Sequence, residues 1–162
     1  MLWTEHGWVT IRRLDVASGK VDTLFSAPVA SLTTIVIDSG EGIAYWTDAE
    51  HGTIERAKLG QPSVETLVTG LRFPGTIALD LIARKIYWGA SEDPYQSSNG
   101  AIRRSDLDGT NVENVITGLQ YQYGLAVDPI HGKLYWSAGG IERANLDGTQ
   151  RERIIDQWAN DL

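Results

Sequence analysis

Apolar positions recur in short alternating runs rather than in long amphipathic faces. The runs "TTIVID" (33–38), "TIALD" (76–80) and "GLAVD" (124–128) are each five or six residues long and end on Asp. Alternation at period two over that length predicts a β-strand with one face buried. Turn chemistry follows at regular offsets: "DSGEG", "DPIHGK", "LDGTN" and "LDGTQ". Asp-Gly and Pro in such places close antiparallel strand pairs. No segment sustains a 3.6-residue apolar period, so little helix is expected.

The runs form a repeat. The second strand of each unit carries an aromatic pair, in "IAYWTD" (43–48), "KIYWGA" (85–90) and "KLYWSA" (133–138). Trp46, Trp88 and Trp136 are spaced by 42 and 48 residues, and Trp3 precedes Trp46 by 43. An Asp stands seven residues before each Tyr: Asp38 before Tyr45, Asp80 before Tyr87 and Asp128 before Tyr135. A third strand holds Arg13, Arg56, Arg104 and Arg143 in equivalent places. The stretches "VDTLF", "VETLVTG", "VENVITG" and "RERIIDQ" supply a fourth. Units of 40–50 residues with four strands match the blades of a β-propeller. Three full units are read at 32–69, 75–117 and 123–156, and residues 1–25 add three strands, giving fifteen strands or about four blades. The expected fold class is all-β, a propeller of four-stranded antiparallel blades in an open arc.

The aromatic pair follows from this architecture. Neighbouring side chains on a strand point to opposite faces. A Tyr-Trp pair therefore gives each blade one large ring for the neighbour on either side. The repeated Arg can lie along a ring and bond a carboxylate or carbonyl at the blade edge.

Composition narrows the chemistry. The chain has 162 residues, a formal charge of -7, 17 Gly and no Cys. Disulfides are ruled out, and no apolar run is long enough to span a bilayer. The start, "MLWTEHGWVT", has neither the basic nor the apolar region of an intact signal peptide. No basic stripe meets phosphates, so neither nucleic-acid binding nor membrane insertion is expected. No G-x-S-x-G, phosphate loop or dinucleotide motif is present. No cofactor and no catalytic residue is expected.

The combination resembles the YWTD propellers, the class B repeats of low-density-lipoprotein-receptor-like proteins. Tyr45-Trp46-Thr47-Asp48 is the full motif, and "IRRSDLDGTNVENVI" (102–116) and "IERANLDGTQRERII" (141–155) are similar to the stretch that follows it. The resemblance covers nearly the whole chain. It implies a six-bladed propeller that binds protein rather than acting as an enzyme, with relatives that are extracellular. It also implies that the motif Asp tethers a loop to the neighbouring repeat. That Asp is kept at Asp48, while Glu5, Ala90 and Ala138 stand at the equivalent places and Leu2 takes the place of the Tyr. Six blades need about twenty-four strands. Fifteen strands imply an arc truncated from a larger ring or completed by another chain. Two copies would give a seven- or eight-bladed ring, since open faces expose apolar surface.

Alternating strand direction sorts the loops. Those after the second and fourth strands share one end, which collects His6, Trp8, His51, Arg72, Phe73, Tyr95, Tyr121 and Tyr123. Aromatics mixed with Arg, His and acids suit a protein or peptide partner. The longest insertion, "SEDPYQSSNG" (91–100), is at this end. The blander reading makes Phe73 and Tyr123 plugs of blade junctions and Trp8 a cover for an end blade. Two other functional classes compete. One is a lactonase- or hydrolase-like enzyme with a channel metal held by Asp38, Asp80 and Asp128, whose recurrence before turns equally fits backbone capping. The other is an assembly fragment without activity. Asp48, Glu50 and His51 could offer metal ligands, and His6 with His51 could converge, whereas His131 lies at the opposite end.

Overall fold

A computed structural model of the protein describes residues 2–5, 9–14, 16–27, 32–61, 63–91, 100–119 and 124–156. Fifteen strands and no helix occur among them. The first sheet holds β1 (Leu2–Glu5), β2 (Val9–Leu14) and β3 (Val21–Ala27). The second holds β4 (Leu32–Asp38), β5 (Ile43–Asp48), β6 (Thr53–Lys58) and β7 (Val64–Val68). The third holds β8 (Pro74–Asp80), β9 (Lys85–Ser91), β10 (Gly100–Asp106) and β11 (Glu113–Leu119). The fourth holds β12 (Gly124–Asp128), β13 (Lys133–Ser137), β14 (Gly140–Asn145) and β15 (Glu152–Asp156). Every sheet is an antiparallel meander in chain order.

The strands differ from the sequence-based expectation only at their ends. The last strand of the first sheet runs to Ala27 and the first of the third sheet starts at Pro74. Pro is tolerated there because a strand's first residue need not donate to the ladder. A register shift also recurs that no periodicity announced. It falls directly after Ile11, Ile54, Ile102 and Ile141 on the third strands, a β-bulge repeated in all four sheets. Such a bulge adds local twist.

The second, third and fourth sheets meet chiefly along their first strands. β4 lies beside β8, and β8 beside β12, which fans the sheets about a common side. Two apolar layers fill the gaps. One joins Tyr45 and Ile54 of the second sheet to Ile77, Ile86 and Trp88 of the third. The next joins Tyr87, Ile102 and Ile116 of the third sheet to Leu134 and Trp136 of the fourth. Each layer thus takes its Tyr from one sheet and its Trp from the following one. Trp46, on the other side of the second sheet, packs in a third cluster with Ala44 and Ala57. Trp46 and Trp88 are fully buried and Trp136 is 2 % exposed, so the rings are core, not surface.

The repeated Arg residues brace these layers. Arg56 pairs with Glu65 across its own sheet at 2.8 Å and donates to the Leu107 carbonyl of the next sheet at 3.0 Å. Arg104 repeats this one sheet later, with Glu113 at 2.7 Å and the Leu146 carbonyl at 2.9 Å, and also donates to the Tyr87 hydroxyl at 3.4 Å. Arg143 makes the in-sheet pair with Glu152 at 2.6 Å. In the first sheet Arg13 stands opposite Asp22 in the same register. Hydrogen bonds that link a charge to a carbonyl at a buried seam are among the stronger ones.

The seam also demands glycine. The Leu-Asp-Gly turn of the third sheet sets Gly109 against the Leu67 carbonyl of β7, and the fourth sheet sets Gly148 against the Val115 carbonyl of β11. A Cβ would come within 2.3 Å and 2.2 Å of those oxygens.

Candidate functional site

Backbone hydrogen bonds sort the loops between the two ends. The Leu71 amide donates to the Gly52 carbonyl at 2.9 Å, which clamps the β7–β8 loop onto the β5–β6 turn. The Ser91 amide, at the end of β9, donates to the Phe73 carbonyl at 3.4 Å. The loops after second and fourth strands therefore share one end. At the other end, Leu59, Leu107 and Leu146 amides donate to Gly42, Arg84 and Gly132 carbonyls, joining the turns after the first and third strands.

Asp48 organises the first end from beneath. Its carboxylate is almost fully buried and accepts from the amides of Glu50 at 2.9 Å and His51 at 3.0 Å, while its second oxygen meets His51 Nδ1 at 2.9 Å. These bonds turn back on the loop that follows. The contact with the next repeat is made by neighbours instead. Thr47 Oγ1 donates to the Gly75 carbonyl at 2.7 Å, and the shaped loop presents the Gly52 carbonyl to Leu71. The tether that the resemblance implies is thus indirect here: Asp48 holds the loop and the loop holds the next sheet. Gly52 is required in that clamp, since φ is +65° and a Cβ would stand 2.2 Å from the Leu71 oxygen. Where Ala138 replaces the Asp, its amide donates to the Gly140 carbonyl at 3.0 Å and the loop contracts to a tight turn.

His51 is exposed, and its pKa lies above the ordinary 6.5, chiefly through the hydrogen bond to Asp48 and then the charge of that carboxylate. The raised value means that the protonated ring is favoured by folding. This stabilisation is complete below pH 6.5 and disappears as pH rises through the raised value. An NMR titration of the ring is therefore expected to give a midpoint above 6.5. Asp48→Asn, which keeps the backbone caps but removes the charge, should return the midpoint toward the ordinary value; an unmoved midpoint would rule out the pairing.

Arg72 and Phe73 lie beside the clamp. Phe73 is 45 % exposed and its φ is +41°. A bulky residue in the left-handed region is a backbone outlier, and its ring is held outward at a cost of about 1–3 kcal/mol. Of the residues assigned to this end by sequence, the structure places His51, Arg72 and Phe73 there together. His6, Trp8, Tyr95, Tyr121 and Tyr123 lie outside the described residues. Trp3 and Arg13 are paired strand positions of β1 and β2, with Trp3 opposite Arg12 and Arg13 opposite Leu2. Tyr135 is half-buried, whereas Tyr45 and Tyr87 are buried.

The recurring Asp residues cap turns at the opposite end. Asp38 accepts from Gly40 and Glu41, Asp80 from Ile82 and Ala83, and Asp128 from Ile130 and His131, all through backbone amides at 2.8–3.1 Å. His131 Nδ1 also meets Asp128 at 2.7 Å. The backbone amide of His131, followed by its ring, holds the Asp128 carboxyl below its usual value. Among the described residues no three His, Cys, Asp or Glu side chains converge on a point that could hold a metal ion.

Sequence reasoning missed Thr47, Gly109 and Gly148, and it expected a carboxylate or carbonyl as partner of the repeated Arg without identifying the Leu107 and Leu146 carbonyls. One signal could have found the acid that each Arg faces across its own sheet: Arg13, Arg56, Arg104 and Arg143 each stand nine residues before an acid, at Asp22, Glu65, Glu113 and Glu152.

Antiparallel meanders fanned on their first strands, with Tyr and Trp interleaved between sheets, are β-propeller blades, and the repeats are similar to those of YWTD propellers. No protein-family model matches the chain. It is 32 % identical over 91 residues to human low-density lipoprotein receptor-related protein 5-like protein, across 55 % of this chain and 36 % of that one. Mouse low-density lipoprotein receptor-related protein 5 is 31 % identical over 86 residues, 51 % of this chain and 5 % of the relative. Protein cueball of Drosophila virilis is 27 % identical over 94 residues, 50 % of this chain and 15 % of the relative. A chain of the nidogen/laminin complex superposes with a TM-score of 0.79 at 28 % identity, over 94 % of this chain and 59 % of that one. TolB from Agrobacterium tumefaciens shares the fold, with a TM-score of 0.74 at 15 % identity over 96 % of this chain and 57 % of that one. The chain therefore spans about a third or less of the curated relatives and just under three fifths of these solved chains.

Proposed function

We propose that the protein is a noncatalytic propeller scaffold that binds a protein or peptide at the end formed by the loops after second and fourth strands. The observation that carries this reading is Phe73. Its backbone is held in an unfavourable conformation that keeps the ring near half exposed, beside exposed Arg72 and His51. Strain of this kind marks sites where position matters more than local stability. An exposed aromatic flanked by cations suits an acidic or mixed peptide surface. The resemblance to a chain crystallised in a nidogen/laminin complex supports a protein partner. The turn-end carboxylates are engaged in capping their own turns, which supports a scaffold rather than an enzyme.

A phage-displayed peptide library selected on the immobilised chain provides the test. Peptides that dock here should lose at least about tenfold in affinity to Phe73→Gly or Arg72→Ala. Ile82→Asp, at the far end, should leave them unaffected. Phe73→Gly should also keep or raise the melting temperature, because Gly occupies positive φ without strain. Selected peptides indifferent to both loop-end changes would refute the assignment.

A further inference from the structure

Asp-Gly pairs are prone to cyclise, and the chain has two, Asp108-Gly109 in the β10–β11 turn and Asp147-Gly148 in the β14–β15 turn. The Gly nitrogen attacks the carbon of the Asp side-chain carboxyl. A C–N bond forms, closing a cyclic imide, and the carboxyl hydroxyl leaves as water with the amide proton. Water then opens the ring at either carbonyl. Opening at the former main-chain carbonyl leaves the backbone running through the Asp side chain, which is isoaspartate. Nothing is oxidised, and the water lost in the first step is regained in the second. Gly favours the attack because it has no Cβ beside the nitrogen. The step needs a free Gly amide and a neutral carboxyl, since the ionised form has no hydroxyl to lose.

Both turns withhold both requirements. The Gly109 amide donates to the Asp106 carbonyl and the Gly148 amide to the Asn145 carbonyl, each at 2.9 Å. The Asp108 carboxylate accepts from the Thr110 amide at 2.9 Å and from the Thr110 hydroxyl at 2.6 Å. Asp147 takes the same pair from Thr149, at 3.0 Å and 2.6 Å. Bonds to the ionised form favour it. Both carboxyls accordingly lie below the ordinary 3.8, chiefly through the Thr hydroxyl and then through the Thr amide. Both Asp side chains are exposed, so the Thr bonds rather than burial restrain them. The matching turn of the second sheet, Leu59-Gly60-Gln61, has neither the Asp nor the Thr.

We propose that Asp108 and Asp147 are latent isoaspartate modification sites, each held unreactive in the folded chain by the hydroxyl of the Thr two residues on, and that modification opens the seam beneath. Isoaspartate adds a methylene to the main chain just before the Gly. Gly109 sits so close to β7 that a Cβ would stand 2.3 Å from the Leu67 oxygen, and Leu107 in the same turn carries the carbonyl that receives Arg56. Gly148 and Leu146 stand in the same relation to Val115 and Arg104. A lengthened turn cannot keep both the close approach and the brace, since a packed seam resists added volume. Thr110 and Thr149 are positioning residues: they act on the Asp carboxylate and take no part in the bond changes.

Ageing the full 162-residue chain at neutral pH, followed by peptide mapping, tests this. Isoaspartate is scored by resistance to a protease that cuts before Asp and by methyl transfer from an isoaspartyl carboxyl methyltransferase. Mapping separates both sites from Asn99-Gly100, whose deamidation also yields isoaspartate. Thr110→Val keeps the side-chain shape and the backbone amide but removes the hydroxyl. It should speed isomerisation at Asp108 at least about tenfold, the scale of a hydrogen bond to a charged group, and leave Asp147 at the wild-type rate. Thr149→Val should do the reverse, and Thr110→Ser should stay slow. In urea the wild-type and Thr110→Val chains should react alike. Chain isomerised at Asp108 should melt at a lower temperature than unmodified chain. Wild-type protein that isomerises as fast folded as in urea would overturn the proposal. So would a Val variant no faster than wild type, equal acceleration at both sites, or an unchanged melting temperature after modification.

Discussion

Trp88→Ala is expected to lower the unfolding free energy by about 3–5 kcal/mol, the range for truncating a large buried ring. Trp88 is fully buried in the layer between second and third sheets, against Tyr45, Ile54 and Ile77. Nothing but neighbouring side chains can refill that volume, because a sheet pair closes only as far as its backbones allow. Total stabilities are about 5–15 kcal/mol, so the variant keeps only part of its margin. Urea unfolding followed by far-ultraviolet circular dichroism measures the loss. A gentler comparison separates volume from polarity. Among the described residues the buried Trp88 indole nitrogen has no hydrogen-bond partner, whereas Trp46 donates to Glu55 at 2.9 Å. Phe at 88 removes an unsatisfied donor, while Phe at 46 strands a carboxylate oxygen. Trp46→Phe should therefore cost more than Trp88→Phe, and the reverse order would contradict this account of the two rings.

The second large effect concerns two glycines of nearly identical conformation. Gly60 and Gly109 have φ of +82° and +83°. A Cβ at Gly60 meets nothing within 4 Å, whereas at Gly109 it meets the Leu67 oxygen at 2.3 Å and carbonyl carbon at 2.7 Å. Gly60→Ala then pays only the left-handed penalty, about 1–2 kcal/mol, partly offset by a less flexible unfolded chain. Gly109→Ala pays the same penalty and in addition pushes the turn off β7. Overpacking of this kind costs a further 1–3 kcal/mol or so. The displaced turn is also the one whose Leu107 carbonyl receives Arg56. Equal losses for the two variants in chemical denaturation would show that the seam is not tightly packed at Gly109.

Much of the fold was legible because it rests on period and spacing. Adjacent residues on a strand face opposite ways, so the pairs Tyr45-Trp46, Tyr87-Trp88 and Tyr135-Trp136 already called for sheets stacked on both sides. The turn chemistry after Asp38, Asp80 and Asp128 located the hairpins, and alternation of direction put His51, Arg72 and Phe73 at one end. The candidate site was legible only at that level. The positive φ of Phe73 left no mark in composition, and Asp48 was read as a tether between repeats although its carboxylate holds its own loop.

The amino-acid order by itself determined the succession of strands, the meander within each sheet and which faces are apolar, since these depend on side-chain alternation and local turn preferences. Only the tertiary structure decided how closely the sheets approach and what crosses between them: Gly109 on Leu67, Thr47 to Gly75, Arg56 to Leu107 and Arg104 to Leu146. These contacts join residues some 28 to 51 positions apart and require a particular twist and separation of neighbouring sheets. Twist and separation are set by the summed packing of two faces, which no single strand encodes.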